Sequence, residues 1–147
     1  VVEKAVREAG KAVMTLETAK KLIDMVEKKA EEMGNAVIIA VADKAARPVA
    51  IHCMDNAYIA SFDIALNKAY TSAGLKMSTA ELSRLSGPGQ PLYGIQHTNE
   101  GKIVIFGGGE VLEANGRIAG ALGVSGGTLE QDTYLAAYGR EVFARIE

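Results

Sequence analysis

Ile103–Thr133, IVIFGGGEVLEANGRIAGALGVSGGTLEQDT, decides how this chain folds. Asn115-Gly116 separates the apolar-rich runs Val111–Ala114 and Arg117–Ser125. That dipeptide is the strongest short signal for a β-hairpin, because both central residues of its tight turn need positive φ. Gly107-Gly108-Gly109 joins this hairpin to an earlier strand-like run, Lys102–Phe106. Ser125-Gly126-Gly127 then leads straight into a helix that opens with the capping box Thr128-x-x-Gln131 and is predicted to run to about Ile146. Alternation puts Ala119, Ala121 and Gly123 on one face of the last strand. Side chains so small let a helix or a neighbouring subunit approach closely.

Upstream, Tyr93–Thr98 is predicted to pair with Lys102–Phe106 across Asn99-Glu100-Gly101. Two prolines and two glycines make Gly87–Pro91 a loop. Ser78 is placed to cap a short helix ending near Leu85, and Asp55 or Asn56 to cap a longer one. The longer helix carries an apolar stripe of Ile59, Phe62, Ala65, Leu66, Ala69, Tyr70 and Ala73. Ala36–Asp43 reads as a buried strand, apolar throughout. Pro48–Met54 returns beside it, with Val49, Ile51 and Cys53 on one face and His52 and Met54 on the other. Thr15 caps a helix whose stripe runs from Leu16 to Met33, and Gly34 closes it. Residues 1–14 form an N-terminal extension, helix or tail. The order predicts an α+β fold in one domain, 1–147, with a mostly antiparallel sheet covered by helices.

The formal net charge is −2 and the basic residues are spread along the chain, which argues against nucleic acid as a partner. The longest wholly apolar run, Ala36–Ala42, is far too short to span a membrane. The first ten residues carry acids where a signal peptide is basic and then apolar, so the expected location is cytoplasmic. A single cysteine, Cys53, excludes an internal disulfide and fits a reducing compartment. Cys53 reads as a small buried hydrophobe on the Val49/Ile51 face. Two histidines and one cysteine do not suffice for a Cys/His zinc site, and no CxxCH for covalent haem is present.

Several of these pieces occur together in one family. Met54-Asp55-Asn56-Ala57, Asn67-Lys68-Ala69-Tyr70-Thr71, Phe106-Gly107-Gly108-Gly109 and Gly120-Ala121-Leu122-Gly123-Val124-Ser125-Gly126-Gly127-Thr128 resemble the GlcG/HbpS family, seen also as the C-terminal domain of PduO-type proteins. LNKAYTSAGLK, PGQPLYGIQ and KIVIFGGG are most similar to its small stand-alone members encoded beside glycerol or diol dehydratase genes. The resemblance implies a profilin-like, three-layer α/β/α fold with a five-stranded antiparallel sheet. It also implies homo-oligomers, octamers among them, and a link to haem or cobalamin.

Candidate ligand-binding residues follow from both lines of reasoning. Ser125, Gly126, Gly127 and Thr128 open a helix, where free N–H groups and the helix dipole favour an anion such as a haem propionate. Asp132 in the first turn complements the same dipole without any ligand. Gly107 and Gly108 form a pocket wall or a close contact; they are not a P-loop, because GxxxxGK[ST] is absent. His52 and Met54 are haem-iron ligand types on one strand face, with His97 as the other candidate iron ligand. Relatives often carry arginine in the place of His52. Asp55, Lys68 and Thr71 belong to the matched motifs: Lys68 could hold an anionic group and Asp55 act as base, or Asp55 could simply cap a helix. Three functions are compatible with this set: an oligomeric haem- or tetrapyrrole-binding protein, an accessory protein for a cobalamin-dependent glycerol or diol dehydratase, and a small enzyme acting on an anionic metabolite.

Overall fold

The computed structural model describes residues 1–3 and 13–146; most of the expected N-terminal extension lies outside them. The continuous apolar run Ile38–Asp43 (β1) is buried from Ile38 to Ala42 because it has a strand on each side and helices on both faces. Pro48–Cys53 (β2) pairs antiparallel with it on one side and Arg117–Ser125 (β4) on the other. Gly109–Ala114 (β3) completes the sheet beside β4, in the order β2-β1-β4-β3. The β3–β4 turn is the hairpin foreseen, with Asn115 at φ 54° and Gly116 at φ 74°.

Leu16–Glu32 (α1) starts where Thr15 Oγ1 accepts the Thr18 N–H at 3.1 Å. Its end is tied by Gly34 N to Glu31 O at 3.0 Å and Asn35 N to Ala30 O at 2.9 Å, with Gly34 at φ 73°. Leu129–Phe143 (α4) begins in the foreseen capping box, Thr128 and Gln131 each bonding the other's backbone. α1 and α4 bury Leu22, Ile23, Val26, Leu135 and Phe143 against Ile39, Val41, Leu122 and Val124 on one face of the sheet. Ser61–Leu75 (α2) covers the opposite face, with Ala65 and Ala69 against Ile38, Ala40 and Ala42. A Cβ on Gly123 would land on Ala65 O and lie 2.8 Å from Ala69 N, so α2 rests its backbone directly on β4. Thr79–Ser86 (α3) follows, capped by Ser78.

Several expectations are corrected. Among the described residues the sheet has four strands and is open at β2 and β3; it is not the five-stranded profilin-like sheet. The missing pairing is the hairpin expected over Tyr93–Phe106. There the backbone bonds locally, Ile95 N to Leu92 O and His97 N to Gly94 O, both at 3.0 Å, and forms short 3₁₀ turns at Ile95–His97 and Asn99–Gly101. Lys102–Phe106 then crosses α2, where Val104 N donates to Thr71 Oγ1 at 3.0 Å instead of to a strand.

The helix start is also displaced. Asp55 and Asn56 form a turn closed by Ala57 N to Met54 O, with Asn56 at φ 71°, and α2 begins at Ser61 behind Ala60, which makes no side-chain capping bond. The apolar stripe is only partly buried: Ala65, Ala69 and Ala73 face inward as expected, with Lys68 and Ser72 beside them, while Phe62 is 41% exposed and Ile59, ahead of the helix, 94%. A sheet surface built from Ala40, Ala121 and Gly123 admits only the helix's small side. Finally, the register moves from Leu112↔Gly120 to Glu113↔Ile118, leaving Ala119 as a bulged residue. Ala119 therefore packs with the α1/α4 core and not with Ala121 and Gly123.

Candidate functional site

Two groups of side chains lie on opposite faces of the sheet. On the α2 face, Lys68 is wholly buried. Its Nζ donates to Val124 O at 2.7 Å, reaches Asp132 Oδ2 at 3.4 Å, and sits 5.1 Å from the centre of the Phe106 ring. Asp132 Oδ1 accepts the Gly127 N–H at 2.8 Å. Burial pulls the Lys68 ammonium below the usual lysine range, and the Asp132 carboxylate works against that shift without cancelling it. The group binds α2, the end of β4 and the start of α4 into one unit. The anion held by the Gly127 N–H is thus the chain's own Asp132.

The surrounding candidates pack solidly. Gly108 has φ +121°, and a Cβ there would fall on Lys68 Nζ and lie 2.6 Å from Val124 O. Gly107 lies against the Thr133 hydroxyl, and Gly109 N donates to Thr79 Oγ1 at 2.8 Å. Thr71 Oγ1 donates to Asn67 O at 2.7 Å, and Ser125 Oγ meets Ser61 Oγ at 3.2 Å. These residues form the floor beneath α2 rather than a crevice.

The crevice lies beside them. An open cleft of about 390 Å³ is lined by Gly34, Asn35, Ala36, Asn56, Tyr58, Gly126, Gly127, Thr128 and Gln131. The end of α1 thus faces the start of α4. Within the capping box, Thr128 N donates to Gln131 Oε1 at 2.9 Å and Gln131 N to Thr128 Oγ1 at 3.2 Å. The N–H groups of Leu129 and Glu130 have no acceptor among the described residues. Tyr58, 72% exposed, forms one wall, and the residues next in the chain to Tyr58 and Thr128, Ile59 and Leu129, are exposed apolar side chains. Nothing in the sequence pattern marks Asn35 or Tyr58. They join the cleft only because the α1 turn and the loop before α2 converge on the Gly126 turn.

On the other face, His52 and Met54 turn toward α1. His52 Nδ1 lies 3.2 Å from Glu27 Oε1, and Met54 Sδ accepts the Val37 N–H at 3.5 Å. Neither lines the cleft. Asp55 is exposed and outside it. His97 is exposed on a 3₁₀ turn and not on an apolar strand face. Cys53 is likewise exposed and not buried, because β2 is an edge strand that ends there.

The arrangement can be set beside known proteins. The chain matches the family described as haem degrading protein HbpS-like over residues 14–141. It is 44% identical over 135 residues to a 15.0 kDa protein from the dhaT-dhaS intergenic region of Citrobacter freundii, covering 92% of this chain and 95% of that one. Corrinoid adenosyltransferase PduO of Citrobacter freundii is 38% identical over 108 residues, which is 74% of this chain and 32% of PduO. This chain therefore corresponds to about a third of that longer protein. Among solved structures, protein ORFY of Klebsiella pneumoniae superposes with a TM-score of 0.88 at 44% identity, covering 91% of this chain and 92% of ORFY. A PduOC–haem complex superposes with a TM-score of 0.84 at 31% identity, covering 88% and 94%. By sequence along most of its length and by fold, the chain belongs to the HbpS-like family.

Proposed function

We propose that this protein binds a tetrapyrrole, haem foremost, in the cleft at the start of α4. The observation that carries this reading is the cleft itself: Tyr58 supplies an aromatic wall, and the Gly126-Gly127-Thr128 turn brings the positive end of the α4 dipole to the same opening. A flat apolar macrocycle with carboxylate arms complements such a pairing. The similar PduOC protein was crystallised with haem.

The residues fit the edge of the macrocycle better than its iron. Neither histidine lines the cleft, so this chain supplies the rim and the anion donors, and an imidazole ligand would come from a second copy. The cleft is open and at the small end of the range for ligand sites, so enclosing a macrocycle also calls for a second surface. The exposed Tyr58, Ile59, Phe62 and Leu129 suit that contact, consistent with a homo-oligomer. The exposed thiol of Cys53 suits a reducing, cytoplasmic setting.

Haemin titration followed at the Soret band tests the reading, with iron-free protoporphyrin in parallel. Saturable changes are expected with both, weakened at least about fivefold by Tyr58→Ala, a loss of order 1 kcal/mol. Absence of any saturable change with haemin removes it. His52→Ala and His97→Ala in the same titration show whether either imidazole reaches the iron.

A second reading is an accessory role for a cobalamin-dependent glycerol or diol dehydratase. The likenesses to the dhaT-dhaS region protein and to a corrinoid adenosyltransferase favour it, and a corrin is itself a flat macrocycle. Co-purification with the dehydratase or a cobalamin-induced rise in Tm is expected; no interaction during turnover counts against it. The small-enzyme reading finds no support in Lys68, which has no face toward solvent.

A further inference from the structure

The geometry points to a divalent metal site between α1 and β2, made by Asp24, Glu27 and His52. The helical period puts Asp24 and Glu27 on one side of α1. Buried Ile23 and Val26 lock that helix against the sheet. Strand pairing sets His52 opposite Ile39, so its ring projects to the α1 side. One carboxylate oxygen from each acid and one imidazole nitrogen lie within 4.8 Å of one another. Ligand atoms around a first-row metal, bound at about 2.0–2.2 Å, stand about 3–4 Å apart. A small closing movement of the exposed Asp24 side chain completes the triangle.

The plainer reading is a Glu27–His52 ion pair, and it leaves Asp24 unexplained. Asp24 takes part in no ion pair among the described residues, although a second carboxylate stands one helical turn away. Like charges at that spacing repel, and a dication relieves the repulsion. Two carboxylates and one imidazole carry two negative charges and a nitrogen donor. That set suits Zn²⁺ or Mn²⁺ with water in the remaining positions. It does not suit Ca²⁺, which takes six to eight oxygens. The His52 and Glu27 side chains are 39% and 31% exposed, leaving an entry path and room for those waters. On Nδ1 the metal takes the place of the Glu27 contact, and the neutral imidazole carries its proton on Nε2. The ion would tie α1 to β2, which among the described residues is an edge strand paired only with β1.

The site shares no residue with the lining of the tetrapyrrole cleft, so the two readings stand or fall separately. The test uses the full chain, tag-free and stripped with EDTA, with no haem present. Zn²⁺ is titrated by calorimetry and Co²⁺ by visible absorption. One ion per chain, Co²⁺ d–d bands and a rise in Tm with Zn²⁺ are expected. His52→Ala and Glu27→Gln, checked for folding by circular dichroism, should weaken binding at least about tenfold, and His97→Ala should leave it unchanged. No saturable uptake, or equal uptake by wild type and His52→Ala, overturns the site.

Discussion

Lys68 shows how a single charge can be held inside this fold. Taking an ammonium out of water is costly, and here it is offset by a carbonyl at 2.7 Å, a carboxylate at 3.4 Å and the face of Phe106. Removing one partner of such a buried pair leaves the other uncompensated. Lys68→Ala should therefore cost about 3–5 kcal/mol, read from urea unfolding. The residue also has a pH signature. Its folded pKa lies below the ordinary 10.5, so between the two values the unfolded chain binds more protons and stability rises with pH. The stability of wild type relative to Lys68→Met should increase as the pH rises toward the unfolded value of 10.5; an unchanging difference would show that Lys68 titrates as it does in the unfolded chain. None of this burial is legible beforehand. Lys68 falls three residues after Ala65 in a motif shared with relatives, and a lysine there reads equally as a solvated side chain. Asp132 is the opposite case: its place in the first turn of α4 was plain from the capping box, and only its second partner was hidden.

At the scale of elements, local chemistry was legible wherever the backbone dictated the answer. Asn115-Gly116, the Thr128–Gln131 box, Thr15, Ser78 and Gly34 each do what their residue types require. The failures arise where tertiary contact outweighs local pattern. Ile59 and Phe62 outrank Ala65 and Ala69 on any hydrophobic scale, yet the small side of α2 faces the sheet because only it fits there. Tyr93–Phe106 alternates like a hairpin, but Gly94, Asn99, Glu100 and Gly101 all take positive φ and turn the chain locally. The α2–β4 contact carries its own prediction. Gly123→Ala drives a methyl into helix backbone, which cannot rotate away as a side chain can. It should destabilise by about 3 kcal/mol, seen as a lower urea midpoint with an unchanged slope. Gly116→Ala, where the added carbon meets open space, should cost only about 1 kcal/mol, from its left-handed backbone conformation.

For the whole molecule, a sheet with two open edges and helices on both faces leaves one end unfinished. Tyr58, Ile59 and Phe62 lead into α2, Leu129 opens α4, and Ser61 touches Ser125 between them. Surface of this kind on a small protein marks a contact site. Ile59→Asp should shift the protein toward a smaller species in light scattering after size exclusion while leaving the circular dichroism spectrum intact. An unchanged mass would place the self-contact elsewhere. The family likeness implies oligomers but names no surface for them, because the apolar stripe of α2 reads as core.

The exposure of Ile59 and Phe62 makes dilution a variable. If the apolar end is covered only when chains meet, part of the folding free energy belongs to the encounter and not to the single chain. The heat tolerance of this protein is then a property of how much of it is present, and thermal scans on samples of very different strength should not superimpose.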